Sequence, residues 1–179
     1  MSHKYIIFDL DGTLLGYNEN WFSVGKKCTL GWIDKQVYGR VRPQTKKILK
    51  KAKEEFDNVY LWTLHGGNKP IHEQKKHVQQ TLQTFQLESF FDQIIYHDLQ
   101  YMGGDGYCKS LDKFVKSKQI KLHDIVIIQD AHHPTDYKSI DPQHRCIFIP
   151  TYIPHLLASS FDRKLKFAYE TAKTMVGLK

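Results

Sequence analysis

Cysteine is scarce in this chain of 179 residues: Cys28, Cys108 and Cys146 lie far apart and are odd in number. They offer neither zinc-ligand spacing nor a disulfide framework, which points to a reducing compartment. No apolar run approaches the ~18 residues that a membrane span needs. Met1-Ser2-His3-Lys4 leads directly into an apolar stretch, with no secretory h-region, so no signal peptide is expected. No internal repeat, low-complexity tract or interdomain linker divides the chain. Acidic residues are also in deficit, 19 against 26 Lys and Arg, for a net charge of +7 and a pI near 9.2. A membrane-spanning helix, a disulfide scaffold, a zinc ribbon and a solenoid are therefore not expected. With 41% hydrophobic and 25% charged residues, the expectation is one globular domain over 1–179.

The positive balance favours an acidic partner: a phosphoprotein, a nucleic acid or an anionic membrane surface. Its densest cluster is Lys46-Lys47, Lys50-Lys51 and Lys53. That spacing suits the solvated face of a helix. A nucleic-acid patch is the alternative, although no aromatic residues interleave with the lysines.

What is present begins at Tyr5-Ile6-Ile7-Phe8-Asp9-Leu10-Asp11-Gly12-Thr13-Leu14-Leu15. Tyr5 to Phe8 is apolar without alternation, as in a central parallel strand buried on both faces. Asp9 and Asp11 are two apart and project to one side of an extended chain. They would stand just beyond the strand's carboxyl end, where open α/β sheets bind ligands. Gly12 marks a turn or a close approach. A carboxylate here can attack phosphorus, and a second can move protons to the leaving group and from water. Two anions repel a phosphate, so a divalent cation is expected.

Further along, strand and helix patterns alternate. Residues 14 to 41 show no helix period and read as an aromatic- and glycine-rich flap, with strand pieces at Thr29–Ile33 and Gln36–Val41. Arg42-Pro43 opens a helix with Ile48, Leu49, Ala52 and Phe56 inward. Val59–Trp62 is a second buried strand, stopped by Thr63. A helix from Lys69-Pro70 to about Phe85 follows, then a strand at Gln93–Tyr96 and a glycine-rich loop. Lys109 to Lys118 reads as helix and Ile125–Ile128 as strand, ending at Gln129-Asp130. Cys146–Ile149 is a fifth strand, and Pro154–Ala158 and Asp162–Val176 are expected helices. This order predicts an α/β fold with a doubly wound parallel sheet of about five strands.

Asp9-x-Asp11-x-Thr13 resembles motif I of the haloacid dehalogenase (HAD) superfamily. The resemblance implies a HAD-like Rossmannoid fold in which Asp9 is the nucleophile and Asp11 the general acid/base. It further implies that Thr63 holds phosphoryl oxygens, that Lys109 offsets charge in the transition state, and that Asp130 binds Mg2+ together with Asp9 and Asp11, the last through its backbone carbonyl. Alone, each is unremarkable: a threonine after a strand is usually a turn residue, and a lysine at a helix start usually faces water.

Val41-Arg42-Pro43 with Val59–Thr63, and Tyr107-Cys108-Lys109-Ser110-Leu111, are similar to motifs of the RNA polymerase C-terminal-domain phosphatases, also called NLI-interacting-factor-like phosphatases. The capless magnesium-dependent phosphatases resemble the chain nearly as well. Gly12 departs from the Glu usual in the polymerase-tail group. Gln129 stands where they carry an acid, and Ala131-His132-His133-Pro134 replaces their Ser-Pro. Asp136 is a second candidate for the cation site. His65, His132 and His133 suit either surface imidazoles or a transition-metal site.

The flap is too short for a cap domain. An open site suits phosphate displayed on a macromolecule, so the expectation is a magnesium-dependent phosphomonoesterase acting on phosphotyrosine or phosphoserine/threonine in a protein through an aspartyl-phosphate. A nucleic-acid 3′-phosphatase and a non-catalytic phosphopeptide-binding module are the rival readings.

Overall fold

The computed structural model describes residues 3–17, 38–64, 70–96, 109–130, 145–152 and 161–178. The strands are β1 (Tyr5–Phe8), β2 (Leu15–Tyr17), β3 (Tyr38–Val41), β4 (Asn58–Trp62), β5 (Gln93–Ile95), β6 (Ile125–Asp130) and β7 (Cys146–Ile149). The helices are α1 (Thr45–Glu55), α2 (Ile71–Thr84), α3 (Leu111–Lys118) and α4 (Phe161–Val176). Five strands form one sheet in the order β5-β4-β1-β6-β7, with every neighbouring pair parallel. The expected α/β architecture is therefore present, and no separate cap is seen among the described residues.

The apolar run of β1 needs cover on both faces, and the fold supplies it. Ile6 and Phe8 point to one side with Val59, Leu61, Val126 and Ile128, against Ile48 and Leu49 of α1, Val78 and Leu82 of α2, and Leu165 and Tyr169 of α4. Ile7 points to the other side with Trp62, Ile125 and Ile127, against Leu111, Phe114 and Val115 of α3. Period-two alternation thus divides one continuous apolar string between two cores. Each such side chain contributes roughly 1.5–3 kcal/mol on burial.

Strand order locates the site. From β1 the chain moves outward to β4 and β5, then returns past β1 to β6 and β7. The order reverses between β1 and β6, and their carboxyl ends border the crevice that such sheets use for ligands.

Three details differ from the sequence reading. Tyr38–Val41 pairs with Leu15–Tyr17, a strand that the sequence pattern does not mark. Thr29–Ile33 lies outside the described residues, as does the helix expected at Pro154–Ala158. Helix α1 begins at Thr45, not at Pro43. Gln44 takes a left-handed conformation, φ 63°, to turn the chain out of β3. Likewise α3 begins at Leu111, so Lys109 precedes the helix.

Candidate active site

Backbone hydrogen bonds carry the sheet one residue past its strands and so place the site. The Asp9 N–H donates to the Ile128 carbonyl at 3.0 Å, prolonging the β1–β6 ladder. The Thr63 N–H donates to the Ile95 carbonyl at 3.0 Å, doing the same for β4 and β5. Asp9, Thr63 and Asp130 therefore stand at the carboxyl ends of three adjacent strands.

Side chains converge on this edge. Lys109 is only 4% exposed, and its Nζ donates to Asp9 Oδ1 at 2.5 Å. The solvent-facing alternative for this lysine is thus excluded. The Thr63 hydroxyl donates to Asp11 Oδ2 at 3.5 Å and the Thr13 hydroxyl to Asp9 Oδ2 at 3.4 Å, both long bonds. Asp9 and Asp130 are buried. All five residues marked in the sequence, Asp9, Asp11, Thr63, Lys109 and Asp130, lie at this one edge. His65, His132, His133 and Asp136 fall outside the described residues.

Electrostatics make Asp9 unusual. Burial is the largest influence and disfavours its charged form. The Lys109 ammonium opposes that, while the charges of Asp130 and Asp11 reinforce it, and the Asp9 carboxyl is pushed up to about 6. To attack as the nucleophile that motif I implies, Asp9 would have to be ionised, which a compensating positive charge would favour.

Among the described residues, no three His, Cys, Asp or Glu side chains form a ready-made metal cage. The expected site needs fewer: the Asp9 and Asp130 carboxylates with the Asp11 carbonyl. These donors are all oxygen, as a hard cation prefers. The repulsion that Asp130 and Asp11 exert on Asp9 is what a divalent cation there would relieve. On these grounds the residues present fit magnesium.

Two features explain the local geometry, and a third was missed in the sequence. Gly12 has φ +68°, and a Cβ built on it would lie 2.2 Å from Asp130 Oδ2 and 2.9 Å from Thr151 Cγ2. Glycine is required there both by conformation and by space. Arg42 is fully buried and donates from Nη2 to the carbonyls of Gly12 and Pro150, at 3.0 and 2.7 Å. Thr151 donates from Oγ1 to Asp130 Oδ2 at 2.8 Å. Nothing in the sequence around Thr151 distinguished it, because its partner is set by the pairing of β6 with β7.

A model of the family described as NLI interacting factor-like phosphatase matches residues 4–178, nearly the whole chain. The chain belongs to that family. This NLI interacting factor-like phosphatase is thus an enzyme with a HAD-like fold, as the motifs implied. Comparison with curated proteins returns no match. Solved structures share the fold, and two of them have a TM-score of 0.51. One is an uncharacterized protein from Listeria monocytogenes serotype 4b, at 13% identity and TM-score 0.51, covering 98% of this chain and 99% of that one. The other is a HAD-superfamily hydrolase from Ehrlichia chaffeensis, at 14% identity and TM-score 0.51, covering 95% and 98%. At Gly12 of the phosphatase the close approach of Asp130 leaves no room for a side chain without rearrangement.

Proposed function

We propose that the phosphatase is a magnesium-dependent phosphomonoester hydrolase, formed by one domain over 1–179, that acts through an aspartyl-phosphate on Asp9. The observation that carries this reading is the buried Lys109–Asp9 pair set among Asp11, Asp130 and Thr63 at the carboxyl edge of the sheet. A carboxylate oxygen of Asp9 forms a bond to phosphorus as the bond to the leaving oxygen breaks. Asp11 gives that oxygen a proton. In the second half Asp11 takes a proton from water, whose oxygen bonds to phosphorus and releases Asp9 and inorganic phosphate. Lys109 neutralises charge that builds on the phosphoryl oxygens, and the Thr63 hydroxyl orients them. The Asp9 and Asp130 carboxylates with the Asp11 carbonyl would hold magnesium, which would supply the positive charge that lets carboxylates and a phosphate share the site.

A phosphorylated protein is the substrate class favoured by the lack of a cap among the described residues. Hydrolysis of an aryl phosphate in magnesium, lost in Asp9→Asn, tests the enzyme reading. An inactive wild type would instead support a binding module. Phosphotyrosine and phosphoserine peptides compared side by side resolve the residue preference. One observation favours a second reading: Lys46, Lys47, Lys50, Lys51 and Lys53 are all exposed along α1, on a chain of charge +7. A nucleic-acid 3′-phosphatase would use that face, and its oligonucleotide affinity would fall steeply with salt.

A further inference from the structure

We infer that Arg42 and Thr151 are positioning residues for the cation site: through them the exit of β7 sets the place of the Asp130 carboxylate and of the Asp11–Gly12 turn. This rests on reading Asp9, Asp130 and the Asp11 carbonyl as cation ligands. Three consecutive residues after β7 each touch that site or its support. Pro150 accepts from Arg42 Nη2 at 2.7 Å. Thr151 donates to Asp130 Oδ2 at 2.8 Å. The Tyr152 N–H donates to the Gly12 carbonyl at 2.8 Å, and the Arg42 guanidinium lies 5.2 Å from the centre of the Tyr152 ring. The Gly12 carbonyl also accepts from Arg42 Nη2, at 3.0 Å. The contacts close a ring: Gly12, Arg42, Pro150, Thr151, Asp130, and back to Gly12 across the space that a Cβ would fill.

Arg42 is itself held. It follows β3 directly, its backbone N–H donates to the Leu14 carbonyl at 2.8 Å, and its side chain has no exposure. Full burial of an arginine is rare and demands compensation. Here one terminal nitrogen spans two backbone carbonyls that belong to segments 138 residues apart in the chain, Gly12 and Pro150. That is more than packing requires, and it joins the two segments carrying the ligands and their support. The Thr151 bond acts on the carboxylate itself. A carboxylate at a strand end can rotate, and a donor fixed on the neighbouring strand's exit selects one orientation. Hydrogen-bonding partners of this kind set ligand geometry, and their loss commonly weakens metal binding by about 10–100-fold.

The test uses the whole chain, with magnesium binding read by calorimetry and by the magnesium-dependent rise in melting temperature, beside aryl-phosphate turnover. Thr151→Val keeps the shape and removes the donor. It is expected to raise the magnesium midpoint about tenfold or more while leaving KM at saturating magnesium within about twofold. Thr151→Ser should restore the midpoint to within about threefold. Arg42→Lys should weaken magnesium in the same direction, and the Arg42→Lys, Thr151→Val double variant should fall short of the product of the two effects, because they act on one ring. Wild-type magnesium midpoints in Thr151→Val and Arg42→Lys, with melting in chelator unchanged, overturn the positioning role and leave the phosphatase reading standing. A wild type that takes up no magnesium overturns both.

Discussion

Strands β1 and β6 lie side by side, and each end of the pair carries a lysine–aspartate bridge with the same 2.5 Å separation. At the amino ends, Lys4, just before β1, meets Asp124, just before β6. At the carboxyl ends, Lys109 meets Asp9. The first bridge fastens neighbouring strands, and the exposed His123 imidazole lies 3.5 Å from its carboxylate. The second sits among two further carboxylates, Asp130 and Asp11; burial first, and then their charges, push Asp9 up to about 6 against the pull of Lys109. Identical pair geometry therefore does two jobs. One bridge satisfies its charges and holds the fold. The other leaves negative charge in excess, which a divalent cation would offset so that a phosphate could enter, and the same sheet supports both.

Substitutions can break this contrast. Lys109→Met should lower kcat/KM for an aryl phosphate by about 10²–10³-fold, the usual scale for losing one preorganised electrostatic partner. Its stability in chelator should change little, by roughly 1 kcal/mol, since Asp9 can take a proton once its partner is gone. Equal loss of stability and activity would make this bridge a structural one like its counterpart. Gly12→Ala should lower stability by about 2–4 kcal/mol in a urea melt, combining a left-handed backbone penalty with overlap on Asp130. It should also reduce turnover, because Asp130 must shift; normal activity in that variant would separate Asp130 from the chemistry.

Lys4→Met is the mirror experiment. It leaves Asp124 buried without its lysine and should cost about 2 kcal/mol, below the range for fully buried pairs because Lys4 keeps some exposure. Turnover per folded molecule should be unchanged, and a drop would show that the amino ends communicate with the site. The smallest effect is expected at Glu55 on α1. Burial works against its ionisation, but hydrogen bonds from the Tyr169 hydroxyl and Lys173, and the lysine's charge, outweigh that and hold it below the ordinary 4.5. A carboxyl depressed in the folded state stabilises above its unfolded value and loses that contribution as pH falls through the folded one. Glu55→Gln should therefore melt lower than wild type by the equivalent of about 0.5 kcal/mol at neutral pH, with the gap closing in acid below pH 4.5.

The sheet was legible because its strands are unalternating apolar strings, and only burial on two faces accounts for Ile6-Ile7-Phe8 or Ile125 to Ile128. The positions of Asp9, Thr63 and Asp130 followed, since strand ends in such sheets share one edge. Leu15–Tyr17 was not legible as a strand. It is three residues long, contains a glycine, and pairs because its backbone follows the turn at Gly12. Arg42 was visible as part of a motif, but not as a buried cation whose Nη2 donates to two backbone carbonyls. Thr151 carried no local signal, because its contact with Asp130 depends on β6 lying beside β7. Short-range pattern revealed which residues end strands; only long-range pairing shows what steadies them.

The position of β1 also governs when the molecule can become active during its synthesis. Tyr5 pairs with Asn58 on one side and with Ile125 on the other. Asp9 is made well before Asp130, since β1 and its neighbour β6 are about 120 residues apart in the chain. At translation rates of about 5–20 residues per second, that delay is roughly 6–24 s. Throughout it β1 has at most one neighbour, and its apolar edge is open to other nascent chains. A pairing pattern so dominated by distant contacts folds slowly, so the edge that gathers Asp9, Thr63 and Asp130 can form only after β6 has been made.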